Sequence, residues 1–374
     1  MPAVQRIGIV GSGIGGLTLA ALLADAGLEV EVLEKAAGPS TLGSGITLQG
    51  NALRIFRELG IWDQLQEKGY PFNNLGLRAP DLAATVIAVL DDVRVGGEDL
   101  PATMGIPRRD LAAIVRARAQ KAGAVIRYGV TVTGLEEVDD AVTVTTATGE
   151  TLTYDLLVGA DGLNSAVRAA IGITEKPRRT GMGIWRAFVP RPAEVTRSDL
   201  YYGGPAYIAG YTPTGPDSMY AYLVEEAQER DVHDGPAIMG ELAAAYGGPW
   251  HEIRQNLDED ANVNYTHFTT HLVDGPWHRG RVVLLGDAAH SCPPTIAQGA
   301  AMAVEDAAVL ADEVLRADAF DESVLTHYRD RRLPRARTVV EASVQIGQWM
   351  LEGKKDADVP GLMHLVADTV KVPV

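Results

Sequence analysis

The chain has 374 residues, of which 46% are hydrophobic and 22% charged, and this length predicts two or three domains of roughly 150 residues each. Its 33 Lys and Arg residues against 49 Asp and Glu give a net charge of −16. Such a surface repels phosphate backbones and anionic lipid, so we expect no nucleic-acid partner and no membrane insertion. The single cysteine, Cys292, excludes disulfides within the chain and thiolate metal clusters, and no metal site is predicted.

The sequence has no run of about 18 apolar residues that could span a bilayer, and no apolar leader with a cleavage site precedes the first strand. We therefore expect a cytoplasmic protein that is either a monomer or a homodimer.

The first 35 residues follow the order strand, glycine-rich turn, helix, strand. Residues 4–10 predict a strand, residues 14–26 a helix with an apolar face, and residues 29–33 a second strand. The turn between the first strand and the helix has the spacing G-x-G-x-x-G at Gly11, Gly13 and Gly16. This order indicates a βαβ unit with parallel strands.

Each glycine of this turn suits dinucleotide binding. Gly11 permits the tight turn, Gly13 lets the backbone approach a pyrophosphate at the helix N-terminus, and Gly16 lets helix and strand pack closely. Glu34 ends the second strand, where its carboxylate can accept hydrogen bonds from a free ribose diol and would repel a 2′-phosphate. The turn therefore predicts the adenosine half of FAD or NAD rather than that of NADP.

The rest of the chain alternates between helical and strand patterns. Helices are predicted at 51–59, 61–67, 110–121, 164–171, 297–315 and 321–351, with the last kinked or split at Pro334. Strands are predicted at 85–90, 124–128, 131–138, 141–146, 152–158 and 281–285, and residues 177–277 predict an antiparallel sheet with one helix near 235–246.

We therefore expect an α/β fold in which a Rossmann-like domain is interrupted by a β-rich substrate domain and followed by C-terminal helices. The Rossmann-like domain would comprise residues 1–70, 105–176 and 278–374. The substrate domain would comprise residues 71–104 and 177–277.

Two further motifs place a carboxylate directly after a predicted strand. Asp161 follows the strand at 152–158, with Arg168 one turn into the next helix, although Asp161 and Asn164 could instead only cap that helix. Asp287 follows the strand at 281–285. Open α/β sheets bind ligands at this edge.

In order and spacing, these three motifs resemble those of the single-component FAD-dependent aromatic hydroxylases, the family of para-hydroxybenzoate hydroxylase and its relatives. The resemblance is good over residues 1–70, 105–175 and 278–340. It implies that the chain binds FAD non-covalently, with Pro294 and the backbone of residues 299–302 beside the flavin ring. The cofactor-binding residues it implies are Gly11, Gly13, Gly15, Gly16, Glu34, Lys35, Arg108, Asp161, Arg168, Asp287, Pro294, Gly299, Ala300, Ala301 and Met302.

The sequence departs from the family pattern at two positions. An Arg is frequent shortly before the stretch at residues 43–46, where this chain has Thr41, and Pro is usual where this chain has Gly50. That loop therefore departs from the family pattern where the family contacts the cofactor.

The resemblance implies a monooxygenase that hydroxylates a small electron-rich aromatic or heteroaromatic compound. NADH or NADPH would reduce the flavin as a transient electron donor, and O2 would then form a C4a-hydroperoxide that transfers one oxygen atom to the ring. The alternatives are a flavin oxidase, a flavin reductase or a halogenase on the same fold, or a flavin-binding protein without activity. The Trp-x-Trp-x-Ile-Pro stretch of the halogenases is not matched at residues 183–190.

The substrate would meet residues of the Asp287 motif and of the β-rich insert. The candidate catalytic residues are Pro294, His290 and Arg186, with ring packing as the alternative for His290 and a surface ion pair for Arg186. The β-rich insert also offers aromatic and histidine side chains that could line a pocket: Tyr211, Tyr220, Tyr222, His267 and His271. Cys292 is expected to be an inert small hydrophobic residue, and residues 329–332 a solvated helix face.

Overall fold

A computed structural model describes residues 4–39 and 43–374, so Thr41 lies outside the described residues. The strands in chain order are β1 (Arg6–Val10), β2 (Glu29–Glu34), β3 (Gly45–Gln49), β4 (Tyr70–Phe72), β5 (Asn74–Arg78), β6 (Val86–Asp91), β7 (Thr103–Pro107), β8 (Val125–Tyr128), β9 (Val132–Val138), β10 (Ala141–Thr146), β11 (Thr151–Tyr154), β12 (Leu156–Gly159), β13 (Arg178–Pro190), β14 (Ser198–Tyr202), β15 (Ile208–Pro213), β16 (Ser218–Glu226), β17 (Asn264–Leu272), β18 (His278–Arg279), β19 (Val282–Leu284) and β20 (His290–Ser291).

The α-helices in the same order are α1 (Ile14–Asp25), α2 (Gly50–Glu58), α3 (Trp62–Lys68), α4 (Arg108–Ala122), α5 (Ala166–Ala170), α6 (Gly235–Ala243), α7 (Trp250–Gln255), α8 (Gly299–Arg316), α9 (Glu322–Leu351) and α10 (Val359–Lys371). In the described part of the chain, no helix has both the length and the apolar character needed to cross a bilayer.

A six-stranded sheet in the order β18-β19-β12-β1-β2-β8 forms the centre of the α/β part. Every pair of neighbouring strands in this sheet is parallel except β18 with β19. Four of the five residues of β1 are buried, as expected for a parallel strand covered on both faces. Helix α1 packs against α4 and α8. The carboxyl ends of β1, β12 and β19 therefore lie side by side, and each leads into one of the three sequence motifs.

The largest sheet has eight strands in the order β20-β17-β13-β16-β15-β14-β5-β6. Its pairs are antiparallel except β14 with β5. One face carries Trp185, Tyr201 and Tyr211 in a core shared with residues of α6 and α7. The opposite face of this sheet lines a cavity.

Two three-stranded sheets complete the fold, in the orders β11-β10-β9 and β3-β7-β4. The second lies between the large sheet and the helices of the α/β part, because β3 contacts α2 and α8 while β7 contacts β15.

The fold is α/β, as predicted, but several elements differ from expectation. The single strand predicted at 152–158 is two strands in different sheets, since the chain turns at Asp155, whose carboxylate accepts backbone N–H groups of Gln5 and Arg6 at 2.7 and 2.9 Å. Of the two alternatives at Pro334, the split is not found, since α9 is one continuous helix. Helices α7 and α10 were not predicted.

Candidate active site

The glycine-rich turn after β1 brings bare backbone to the start of α1. Gly11 has a φ of +107°, and a Cβ atom there would lie 2.4 Å from the carbonyl oxygen of Ala160. A Cβ atom on Gly16 would lie 2.5 Å from the carbonyl oxygen of Gly11, whereas one on Gly13 would meet open space. The turn is therefore packed on its inner side and open at Gly13.

This open side belongs to a cleft of about 370 Å³ between the two large sheets, which we call the glycine cleft. Its walls contain residues from all three sequence motifs and from β3: Gly13, Ile14, Gly15, Gly16, Gly45, Ile46, Thr47, Arg108, Ala160, Gly162, Arg186, Tyr220, Leu285, Gly286, Asp287, Cys292, Pro294, Ala297, Gly299, Ala300 and Ala303. The side chains of Ala301 and Met302, two residues expected to act through their backbone, are buried in α8. The predicted Lys35 is exposed and does not line the cleft.

Glu34 is held at the end of β2 by three hydrogen bonds. Its carboxylate accepts from the Ser12 backbone N–H at 2.9 Å, from the Ser12 hydroxyl at 2.7 Å and from the Ala36 N–H at 2.8 Å. Burial opposes ionisation, but these bonds lower the pKa of Glu34 overall. The carboxylate is thus ionised and fixed beside the glycine turn.

Asp161 and Arg168 have structural partners. The Asp161 carboxylate accepts from the Ser165 hydroxyl at 2.5 Å and from two backbone N–H groups at the start of α5, so it caps this helix. The Arg168 guanidinium donates to the Ala288 and Leu163 carbonyls, both at 2.9 Å, and lies 3.3 Å from Nε2 of His271. Arg168 is 4% exposed. Its buried hydrogen bonds therefore link the Asp161 motif to the Asp287 motif.

Asp287 lies opposite Arg108 in the glycine cleft. Both side chains are solvent-accessible, but the surrounding cleft walls desolvate them in part, which raises the pKa of the Asp287 carboxyl and lowers that of the Arg108 guanidinium. Their mutual attraction opposes both shifts, although no ion pair within 4.0 Å forms between them. Asp287 is therefore a carboxylate acceptor directed into the cleft.

A second cavity, of about 180 Å³, lies on the free face of the eight-stranded sheet. We call it the tyrosine cavity, since Tyr202, Tyr220 and Tyr222 line it. Its other walls are mostly apolar: Thr47, Gln49, Phe72, Leu75, Asp92, Thr103, Met182, Ile184, Arg186, Ser198, Leu200, Ile208, Thr212, Val224, Phe268, Pro294, Thr295, Ile296, Ala297, Met350 and Met363.

The alternation of β15 explains why one predicted tyrosine does not reach this cavity. Tyr211 pairs with Ala221, while Thr212 pairs with Tyr220, so Tyr211 and Tyr220 lie on opposite faces of the sheet. Tyr211 is 1% exposed and donates to Asp199 at 2.9 Å in the core. His267 and His271 also do not line the cavity.

The glycine cleft and the tyrosine cavity share a wall made by Thr47, Arg186, Tyr220, Pro294 and Ala297. The Thr47 hydroxyl lies 2.9 Å from the Tyr220 hydroxyl, and the Tyr220 ring stacks on Tyr222 with centroids 5.4 Å apart.

Beside this wall, glycines carry the close contacts between the three-stranded sheet β3-β7-β4 and the eight-stranded sheet. A Cβ atom on Gly45 would lie 2.3 Å from the Tyr220 ring, and one on Gly105 would lie 2.0 Å from the Pro213 carbonyl oxygen. The sheet β3-β7-β4 therefore packs on the eight-stranded sheet with almost no side chain between the two backbones.

Arg186 lines both of these spaces and also a third, outer cavity with Gly43, Ser44, Arg108, Asn262, Val263 and Asn264. It donates to the Thr266 hydroxyl at 2.7 Å. Burial lowers the pKa of Arg186 to about 10, and the neighbouring Arg108 acts in the same direction. Among the described residues, no carboxylate forms an ion pair with either arginine, so the surface ion pair considered for Arg186 is not found.

His290 lies outside the glycine cleft. It is 3% exposed, packs on Trp277 and lies 2.7 Å from Oδ2 of Asp306. The geometry corresponds to the ring-packing alternative, and His290 lines none of the three cavities.

Sequence reasoning missed a buried charge network around Asp306. Arg332 donates to Asp306 at 2.7 Å and to Glu305 at 2.8 Å, and all three side chains are 0% exposed. Burial opposes ionisation, yet His290 and Arg332 lower the pKa of Asp306 to about 2. The same carboxylate accepts the Gly286 N–H at 2.9 Å, so the network supports the Asp287 loop.

The expectation of a solvated face at residues 329–332 is therefore wrong for Arg332. Composition alone does not separate the two cases, because a helix face that packs on another helix through ion pairs is as rich in charged residues as a solvated face. The available signal was the acidic pair Glu305 and Asp306 on the preceding helix, which could pair with Arg332.

The glycine cleft fits a dinucleotide such as FAD. Gly13 leaves open space at the start of α1, where N–H groups favour a pyrophosphate, and Glu34 presents acceptors for a ribose. The shared wall would adjoin the flavin ring, and Cys292, whose pKa is raised to about 12 by burial, offers no reactive thiolate there.

Comparison with known proteins agrees with this geometry. Residues 4–343 match the FAD binding domain family. The chain is 33% identical to the aurachin C monooxygenase/isomerase of Stigmatella aurantiaca, over 91% of this chain and 89% of that protein. It is 32% identical to the 6-hydroxynicotinate 3-monooxygenase of Bordetella bronchiseptica, over 92% of this chain and 91% of that enzyme.

Among solved structures, a variant of Klebsiella pneumoniae HpxO complexed with FAD superposes with a TM-score of 0.83. It covers 98% of both chains at 23% identity, and this likeness concerns the fold.

The chain therefore belongs to the FAD binding domain family and, within it, to the FAD-dependent aromatic hydroxylases. It is an FAD-dependent monooxygenase.

Proposed function

We propose that this enzyme uses NADH or NADPH and O2 to hydroxylate a small, electron-rich aromatic or heteroaromatic compound held in the tyrosine cavity. The observation that carries the proposal is the shared wall, because it brings a mostly apolar, ring-sized cavity against the cleft that fits FAD. One relative points the same way, since it is named for 6-hydroxynicotinate.

FAD, when bound, supplies the activation of O2 for transfer of one oxygen atom to the ring. The residues of the chain supply binding and orientation. Gly13 and Glu34 would hold the adenosine half, Asp287 would accept a hydrogen bond from a ribityl hydroxyl, and Gly299 and Ala300 would present backbone N–H groups.

The substrate side depends on Tyr220, Tyr222 and Arg186. The two stacked tyrosine rings offer a flat apolar surface for an aromatic ring, and the Tyr220 hydroxyl can hydrogen-bond a substrate oxygen beside Thr47. Pro294 and Ile296 help to exclude bulk water from the junction, which favours oxygen transfer over peroxide release.

We also propose that the substrate carries an anionic or strongly accepting oxygen toward Arg186. Arg186 is a half-buried cation without a carboxylate partner among the described residues, and such a charge gains from a ligand anion. Arg186→Gln would then weaken a ring carboxylate far more than the matched carboxamide. Equal losses for the two ligands would exclude this role.

The experiment for the proposed function is a panel of phenols and hydroxypyridines, with NADH or NADPH and the FAD-loaded enzyme. Oxygen uptake, peroxide release and product mass are followed together. A substrate should accelerate flavin reduction and give a product heavier by one oxygen atom. Equal reduction rates with every compound, or peroxide as the only product, would instead indicate an oxidase or reductase.

A further inference from the structure

The tyrosine cavity has a polar end that the proposed chemistry does not use. Gln49 at the end of β3, Asp92 just after β6 and Thr103 at the start of β7 all line it. Gln49 and Thr103 are register partners. The Asp92 N–H donates to the Asn73 carbonyl at 2.8 Å, so residue 92 extends the β5–β6 ladder and lies on the same face as Leu75, another lining residue.

This end lies at a defined distance from the cofactor side. Along β3, Gly45 lines the glycine cleft, Thr47 lines both spaces, and Gln49 lines the tyrosine cavity alone. Since a strand advances about 3.3 Å per residue, Gln49 lies roughly 7 Å beyond the shared wall. This separation is about the length of one aromatic ring.

The three side chains have no hydrogen-bond partner among the described residues, whereas their neighbours do. Asn73 accepts the Ala102 N–H at 2.9 Å, and Asn74 donates to Asp91 at 2.5 Å. No cation lies within ion-pair distance of Asp92 in the described part of the chain.

Leaving such a carboxyl without a donor is costly. Burial, with a smaller effect of Asp91, raises the pKa of Asp92 to about 6. A carboxyl in a mostly apolar cavity gains most from a ligand that brings a hydrogen-bond donor.

We propose that Asp92, assisted by Gln49 and Thr103, binds an N–H donor of the substrate, either an amino substituent or a ring N–H. The enzyme would then select nitrogen-bearing aromatics, oriented with an oxygen toward Arg186 and the nitrogen toward Asp92. This inference rests on the proposed function, since it assigns the tyrosine cavity to the substrate.

The test compares matched ligands that differ by an amino or a methyl group: the three isomers of aminobenzoate against the three of methylbenzoate. Dissociation constants are measured at pH 8 from the flavin absorbance change of the FAD-loaded enzyme. We expect at least one amino isomer to bind roughly ten-fold more tightly than its methyl partner, because the bond is to a charged acceptor. Asp92→Asn should remove most of this preference, and Asp92→Leu should reverse it.

Asp91→Asn is the matched control. Asp91 is exposed, is bound by Asn74 and is not among the lining residues, so the amino preference should persist in this variant. If the Asp92 variants do not load FAD, Thr103→Val gives the same information, with an expected loss of roughly three-fold in the preference.

The inference is overturned if the enzyme binds none of the amino isomers more tightly than its methyl partner. It is also overturned if the amino preference is unchanged in Asp92→Leu, or in Thr103→Val where that variant replaces it. Because the readout is equilibrium binding, it does not depend on turnover. Failure of the proposed function would appear separately, as the absence of ligand-stimulated NAD(P)H oxidation.

Discussion

Thr47 and Tyr220 join their hydroxyl groups at 2.9 Å across the boundary between the glycine cleft and the tyrosine cavity. Tyr220→Phe removes this bond and the hydroxyl offered to the substrate, while the ring can still stack on Tyr222. We expect the variant to fold and retain FAD but to lose roughly ten-fold in ligand-stimulated turnover, as measured by NAD(P)H oxidation.

Tyr211→Phe is the control for this prediction. It removes the bond to Asp199 in the core on the other face of the sheet, so stability should fall while turnover per folded molecule is maintained. Wild-type turnover in Tyr220→Phe would show that its hydroxyl is not used.

Glu34→Arg should weaken FAD binding strongly. The substitution removes the acceptors that Ser12 and Ala36 hold in place and puts a long cation where a neutral ribose is expected. Flavin retained through gel filtration is the measurement. Glu29→Arg, at the exposed start of the same strand, should retain flavin like the wild type, and equal retention by both variants would contradict the dinucleotide assignment.

Asp306→Asn should destabilise the protein by roughly 3 kcal/mol or more, because it leaves the buried Arg332 with one fewer anionic partner. Unfolding in urea measures this loss. Asp312→Asn, in a more exposed pair on the same helix, should cost less than about 1 kcal/mol. A similar loss in the two variants would mean that the buried network contributes little.

Stability should fall in acid because of His271. Burial and then the Arg168 charge lower the pKa of His271 to about 4, so the unfolded chain binds a proton below about pH 6.5 that the folded chain takes up only near pH 4. As the pH falls from about 6.5 to about 4, the titration of His271 should lower the free energy of unfolding by roughly 3 kcal/mol.

His271→Gln should flatten this part of the pH profile, whereas His251→Gln, at an exposed position, should leave it unchanged. The measurement is urea unfolding at a series of pH values from 4 to 8. An unchanged slope in His271→Gln would assign the acid sensitivity to other groups.

The sequence predicted the α/β part of the fold well because its patterns are local. The strand, turn and helix at Gly11–Gly16 can be read from residues that are close in the chain. The break at Asp155 depends instead on its bonds to the backbone of residues 5 and 6, about 150 positions away. No local pattern contains that information.

The site shows the same division. The motifs of the glycine cleft were predicted, because the residues of each motif are close together in the chain. By composition, Tyr211 and Tyr220 are equally plausible lining residues of the tyrosine cavity. Only the strand register shows that Tyr220 faces the cavity and Tyr211 the core. Asp92 and Gln49 gave no signal, because their role as lining residues arises where three separate elements meet.

The close contacts at Gly45 and Gly105 limit how this enzyme could be engineered. Any larger residue there would push one sheet away from the other, so a mutant library that randomises either position would consist largely of misfolded variants. The adaptable part of the cavity is elsewhere, at Met350 and Met363, whose unbranched side chains reach in from the C-terminal helices. Selection for bulkier substrates should therefore accumulate changes in those two helices and leave the boundary with the cofactor cleft intact.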